Sequence, residues 1–198
     1  GVLLGHKVDH LAKESIARGA DEVLLADDPV LAQYRTDPYT RVVTQMVLDR
    51  KPDIFLLGAT PDGRDLAGRL GVRLRTGLTA DCTNLWLKAG TTLLEGEVTG
   101  FGGGILAVIE CEYHRPQMAT VREGVMVMPQ PDGRRRTTVV RPPASFNGFR
   151  PPLRILESER REKRVNLKAA RVIVAGGAGV GTKENFRLIW ELANCLGG

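Results

Sequence analysis

Three short apolar runs without interleaved polar residues, within Val2-Leu-Leu4, Glu22-Val-Leu-Leu-Ala26 and Ile54-Phe-Leu-Leu-Gly58, are separated by stretches of helical spacing. Nothing else in the chain constrains the fold as strongly. A strand that is apolar on both faces must be covered on both faces, and strands of this kind alternating with helices form a parallel sheet between two helical layers. The first helix is expected from about Val8 to Ala17, with Leu11, Ile16 and Ala17 inward and Gly19 closing it. Asp27-Asp-Pro29 breaks the second strand. A helix then opens at Asp37 or Pro38 and runs through about Leu48 with Val42, Val43, Met46 and Val47 inward, and a further helix spans Asp62 to Val72. This part reads as doubly wound α/β.

From Leu78 the pattern becomes strand-rich: Leu85 to Lys88, Thr92 to Val98, Gly104 to Cys111, Met118 to Val121, Val125 to Met128, and Arg136 to Val140. These strands either extend the sheet or pack beside it as an antiparallel element. Pro142, Pro143, Pro151 and Pro152 flank an irregular stretch. Ile155 to Arg164 alternates apolar and charged residues and then stops. A domain boundary is expected at about Lys163 to Asn166, giving an amino-terminal α/β domain over 1–163 and the start of a second over 164–198.

The second domain opens on Arg171-Val-Ile-Val-Ala175, a β-branched run, followed by Gly176-Gly-Ala-Gly-Val-Gly181, with Thr182 at an N-cap position and Phe186, Ile189, Trp190 and Ala193 at helical core spacing. Strand, glycine turn and helix in that order bring backbone N–H groups and a helix N-terminus to an anion without Cβ obstruction. The glycines are out of register with G-x-G-x-x-G, so the turn alone does not identify a cofactor.

Charge and cysteine content narrow the classes. The net charge of +5 sits largely in Arg134-Arg135-Arg136, after the Pro131-Asp132-Gly133 turn, and in Arg160-Arg161-Glu162-Lys163-Arg164, mixed with Glu157 and Glu159. Solvated strand ends and a linker account for both, and aromatics for base stacking are scarce, so a nucleic-acid binder is not expected. No apolar run approaches the roughly 20 residues of a membrane span, and a cytoplasmic protein is the default expectation. Cys82, Cys111 and Cys195 lack paired metal-ligand spacing and read as buried free thiols.

Gly58-Ala-Thr-Pro-Asp-Gly-Arg-Asp65 stands where a strand hands over to a helix, the carboxyl edge at which open α/β sheets bind ligands. Thr60, Asp62 and Arg64 offer hydrogen-bonding groups there; equally, Thr60 or Asp62 is a helix cap. Thr76-Gly-Leu-Thr-Ala-Asp-Cys-Thr83 is rich in small and hydroxyl residues, and Thr76 and Thr79 suit close approach of a flat ligand or a neighbouring subunit. His114-Arg-Pro-Gln-Met-Ala-Thr-Val-Arg122 puts Arg115 and Arg122 on either side of a short apolar strand, where an arginine stabilises a flavin or phosphate or makes a surface ion pair. His114 has no Ser, Cys or Asp partner in view for a triad. His6 and His10 lack an acidic third ligand, so a metal site is disfavoured.

Taken together, Gly5-His-Lys, Ala20-Asp-Glu-Val, Pro52-Asp-Ile-Phe-Leu-Leu-Gly-Ala-Thr60, Gly63-Arg-Asp-Leu-Ala67, Thr76 to Cys82, His114 to Arg122, and Gly176 to Gly181 with Lys183-Glu-Asn-Phe186 resemble the alpha subunits of electron-transfer flavoproteins. The resemblance covers nearly all the chain. It implies an α/β domain followed by an FAD-binding domain, a heterodimer with a beta subunit, and electron transfer from flavin dehydrogenases to an acceptor, as in fatty acid oxidation, with no bond-making on a substrate. FAD contacts are implied at Gly176, Gly177, Ala178, Gly179, Arg122, Thr76 and Thr79. Family members usually carry arginine where this chain has Ala178. Their later FAD-binding segments would follow Gly198 and an opening strand and helix would precede Gly1, so the chain is expected to be truncated at both ends and to hold FAD weakly or not at all by itself. The Gly5-His-Lys-Val-Asp-His10 opening leans toward a subset with a second flavin in the beta subunit that splits electron pairs, and there Arg122 is the residue expected to face that flavin. Two other readings compete: an assembly module that only docks a partner subunit, and a protein binding adenine nucleotide at Gly58 to Arg64.

Overall fold

The computed structural model describes all residues except 101–102, 143–145, 147, 160–166 and 168–169. The chain divides into a unit over 1–154 and a second over 155–198. The expected boundary at Lys163 to Asn166 and the Arg160–Arg164 charge run lie outside the described residues.

In the first unit, β1 (Val2–Gly5) leads to α1 (Asp9–Ala17), β2 (Glu22–Asp27), α2 (Thr36–Arg50), β3 (Ile54–Gly58) and α3 (Pro61–Leu74), the alternation that the apolar runs demand. There follow β4 (Leu78–Cys82), β5 (Asn84–Leu87), β6 (Leu94–Gly100), β7 (Ile105–Glu110), β8 (Gln117–Val121) and β9 (Thr138–Val140). The parallel strands form two three-stranded ladders, β1-β2-β9 and β3-β8-β4, and β5-β6-β7 is an antiparallel meander.

Local chemistry explains the element ends. Asp28 accepts the N–H of Val30 at 2.8 Å and starts a 3₁₀ turn over Pro29–Leu31, which ends the run after β2. The Asp27 carboxylate accepts the N–H groups of Lys7 and Val8 at 2.8 and 2.9 Å and ties the β1–α1 turn to the end of β2. Neither α2 nor α3 stops on a glycine: Lys51 and Arg75 take the left-handed conformation at their C-termini. The helices bury one face each. Val42 and Met46 pack on Leu24 and Ala26, while Val43, Val47, Leu66 and Leu70 pack with Met118 of β8.

Some expected elements are changed. Leu78–Cys82 is a strand although Thr79, Ala80 and Asp81 give it no apolar run, because β8 supplies a parallel partner. Val125–Met128 is not a strand: it follows a turn at Gly124 (φ 81°), lies exposed and pairs with no described residue, and β-branched composition makes a strand only where a ladder is available. The Arg136–Val140 strand shortens to Thr138–Val140, the part in register with Glu22–Leu24.

In the second unit, Ala178–Val180 and Glu184–Phe186 are 3₁₀ turns and α4 spans Arg187–Leu196. Arg171–Ala175 has no strand partner among the described residues, so its backbone forms no ladder, and the described part of Ile155 to Arg164 likewise contains no strand. Thr182 caps the turn before α4 rather than α4 itself, accepting the N–H of Asn185 at 3.3 Å. The apolar side of α4 is largely uncovered: Trp190 is 65% exposed and meets Phe186 edge-on. Of the three thiols, which are all free, only Cys82 is buried; Cys195 is exposed, contrary to the sequence expectation, because it lies on this uncovered helix.

Candidate site at the carboxyl edge of a parallel sheet

Strands β3, β8 and β4 run parallel and end together, which gathers Gly58–Arg64, Asp81 and Arg122 at one sheet edge. The Ala59 N–H donates to Val121 O at 2.7 Å and the Arg122 N–H to Cys82 O at 2.9 Å, so all three strand ends are laced together by main-chain bonds. Thr60 is a helix cap: its Oγ1 accepts the Gly63 N–H at 3.0 Å, with Pro61 in the first turn of α3. That resolves the alternative left open by the sequence, and it leaves Arg64, one turn into the helix, to reach over the edge.

Asp81 joins the arginines. Between Thr79 and Cys82 the β4–β8 register shifts, Asp81 takes φ 61°, and its N–H donates to the hydroxyl of buried Thr120 at 2.8 Å. The carboxylate then receives Arg64 Nη2 on Oδ1 at 3.0 Å and Arg122 Nη2 on Oδ2 at 2.8 Å. Thr99 Oγ1 lies 3.4 Å from the same Arg122 nitrogen. The hydrogen bond from Arg122, with the charge of both guanidiniums, holds the Asp81 carboxyl below the usual carboxylate range. Two cations and one anion leave the cluster positive, and the side chains keep one third to somewhat over half of their surface in solvent.

The other sequence-selected residues are placed as follows. Thr76 Oγ1 donates to Pro116 O at 2.8 Å at the opposite end of β4 from Asp81. Thr79 is buried within β4; its methyl group and Cys82 Sγ each lie 3.0 Å from where a Cβ on Gly96 of β6 would sit. Arg115 is engaged by main-chain carbonyls of Cys111, Glu112 and His114 at 2.9–3.3 Å and so clips its own loop, whereas Arg122 points to the edge. A cleft of about 870 Å³ between β1 and β3, lined by Leu4, Val47, Ile54, Leu57, Thr60 and Leu66, reaches the same edge at Gly58 and Gly63 but is not lined by Arg64, Asp81 or Arg122. No group of three or more metal-ligating side chains occurs among the described residues, and no helix there is long and apolar enough to cross a membrane.

In the second unit the glycine turn folds back on its own helix. A Cβ on Gly176 would lie 2.9 Å from Ile189 Cγ1 and from Phe186 Cε2, so any other residue there requires those side chains to shift. At Gly177 and Gly179 a Cβ would meet nothing within 4 Å, which leaves the backbone on either side of Ala178 open to approach. Ala178 itself brings no charged group. Within this unit the accessible backbone at Gly177 and Gly179 fits the approach of an anionic group such as a phosphate.

Asp81 is the charged residue at this edge that the sequence did not single out. It lies inside a segment noted for small residues, and its tie to Arg122 crosses 41 positions, visible only once β4 and β8 pair.

Comparison with known proteins agrees with this organisation. The family described as Electron transfer flavoprotein domain matches residues 1–147, and that described as Electron transfer flavoprotein FAD-binding domain matches residues 166–198, so part of the latter domain is present. The chain is 43% identical over 198 residues to the electron transfer flavoprotein subunit alpha of Thermoanaerobacterium thermosaccharolyticum, covering 100% of this chain and 60% of that protein. Protein FixB of Clostridium saccharobutylicum is 45% identical over 199 residues, with 100% and 59% covered. The subunit alpha of Megasphaera elsdenii is 38% identical over 200 residues, with 100% and 59% covered. The chain therefore spans about 60% of the length of these relatives, and it belongs to the electron transfer flavoprotein family as a homologue of the alpha subunit.

Proposed function

We propose that this chain is the alpha-subunit portion of a two-subunit electron carrier that pairs with a beta subunit and passes electrons from flavin dehydrogenases to an acceptor through FAD. The observation that carries this reading is the succession, in one chain, of the electron transfer flavoprotein domain and the start of its FAD-binding domain. We set the boundary between them at 163/164.

Bound FAD supplies reversible acceptance of one or two electrons. The residues assigned to flavin contacts have separate tasks, Gly176 to Gly179 toward this FAD and Arg122 toward a second flavin. The open backbone at Gly177 and Gly179 lets main-chain N–H groups approach the cofactor, with Gly176 keeping the turn against α4 and Ala178 adding no charge. Arg122, fixed at the sheet edge through its backbone bond to Cys82, directs its remaining guanidinium donors toward a flavin held at the beta subunit. Thr79 supports that edge from within β4, and Thr76 holds the opposite end of β4 against Pro116.

Co-expression of the full-length reading frame with the beta subunit tests the proposal. A yellow heterodimer whose flavin absorbance is bleached by a reduced acyl-CoA-type flavin dehydrogenase is the expected result. A complex that assembles without flavin overturns it in favour of an assembly module, and retention of ATP by a colourless protein favours the nucleotide-binding reading.

A further inference from the structure

Asp81 has no task in the reading above, yet the chain departs from regular strand geometry to place it. The register shift in β4, the left-handed backbone at φ 61° and the bond from its N–H to the Thr120 hydroxyl together turn the carboxylate outward between Arg64 and Arg122. A non-glycine residue in that region is uncommon, and such conformations gather where a side chain has to be aimed. One oxygen meets each guanidinium, at 3.0 and 2.8 Å.

The consequence is competition. An Arg122 nitrogen that donates to Asp81 is not available to a ligand, and the carboxylate offsets the charge that Arg122 presents at the edge. Arg64 acts in the opposite sense, because its bond to the other oxygen draws Asp81 away from Arg122. The three side chains are half-exposed, so the balance is adjustable rather than locked.

We propose that Asp81 acts through Arg122 as a counter-ion, limiting the positive charge that Arg122 presents to the flavin at this edge, and that Arg64 sets how strongly it does so. This rests on the reading that Arg122 faces a flavin. Reduced flavin is richer in negative charge than oxidised flavin, so a freer Arg122 favours the reduced form and a more fully neutralised one favours the oxidised form.

The test is a redox titration followed by flavin absorbance, on the full-length alpha subunit paired with its beta subunit and loaded with FAD. Asp81→Asn keeps the shape, and Asn tolerates the left-handed backbone. It should raise the ratio of reduced to oxidised flavin at a fixed potential by about two- to fivefold, the range expected for an exposed ion pair. Arg64→Ala should lower it, and Arg122→Ala should lower it and abolish the effect of Asp81→Asn in the double variant. If Arg122→Ala leaves the titration unmoved, the reading of Arg122 fails. If Arg122→Ala moves it while Asp81→Asn does nothing, shifts it downward, or acts equally with and without Arg122, the counter-ion role is overturned. Should Asp81→Asn fail to assemble, Arg64→Ala decides alone: the absence of a downward shift overturns the proposal.

Discussion

Gln117 Oε1 accepts the backbone N–H of Leu94 at 2.7 Å, while Nε2 of the same side chain donates to Thr92 O at 2.9 Å. The side chain is 1% exposed, so one buried amide at the start of β8 fixes the start of β6 and thereby joins the antiparallel meander to the parallel ladder. Gln117→Leu keeps the volume but removes both bonds, and a main-chain group left unpaired at a partly buried site costs about 1–3 kcal/mol. Urea unfolding of the variant should show a loss in that range. A change below about 0.5 kcal/mol, the usual effect of an inert surface substitution, would show that the amide is not a tie.

The turn from β3 into α3 makes a prediction about sign. Helix propensity alone says that Gly63→Ala stabilises by about 1 kcal/mol. In this turn a Cβ on Gly63 would lie 2.0 Å from Gly58 O, a main-chain atom that cannot move aside without opening the strand end. Gly63→Ala should therefore destabilise, by more than the roughly 1 kcal/mol expected for removing the cap with Thr60→Ala. Thermal or urea denaturation of the two variants measures both, and a stabilised Gly63→Ala would refute the close approach.

What was legible in the sequence was what short stretches decide for themselves. The apolar runs of β1, β2 and β3, the inward residues of α2, the break at Asp27-Asp-Pro29 and a cap at Thr60 or Asp62 all act within a few positions, and the structure has the runs, the inward face and the break where the pattern puts them and the cap at Thr60. Features that depend on a distant partner were hidden. β4 is a strand because β8 lies beside it, and Val125–Met128 is not one because no described strand does. The ends of α2 and α3 were approximate since Lys51 and Arg75 adopt a conformation that glycine usually announces. The site divided the same way: Arg64 and Arg122 were visible as residue types beside strand ends, whereas Asp81 becomes meaningful only when strands 41 residues apart bring it to Arg122.

The β1–α1 turn has a pH signature. Asp27 accepts the Lys7 and Val8 N–H groups and lies 3.5 Å from His6 Nδ1, and these interactions, the Lys7 bond foremost, hold its carboxyl below the ordinary aspartate range. A depressed folded-state value means that the stabilisation is fully present above the unfolded value of about 4 and is lost as pH falls through the folded value. Asp27→Asn should thus lower stability by a constant amount between about pH 5 and 7, and the gap to the unmodified chain should close below about pH 4. Unfolding curves taken across that range check it. A gap that widens toward acid would contradict the assignment.

Main-chain polar groups of β3 point alternately toward β8 and toward the cleft between β1 and β3, and proline substitution reads that direction. The Gln117 N–H donates to Asp53 O and the Ala59 N–H to Val121 O, so residues 53 and 59 of this stretch turn their polar groups toward β8. Because successive residues of a strand alternate sides, Phe55 and Leu57 also face β8, while Ile54, Leu56 and Gly58 turn theirs away, into the cleft they line. Proline cannot donate to a ladder and is tolerated where the lost N–H was not used by one. Leu57→Pro removes a bond to β8 and should cost about 3 kcal/mol or more, enough to unfold a marginal domain. Leu56→Pro removes an N–H that β8 does not use and should cost far less in this chain. The comparison is made by urea unfolding of the two variants side by side; equal losses would mean that β3 is bonded on both edges, and a reversed order would mean that its register on β8 is shifted by one residue.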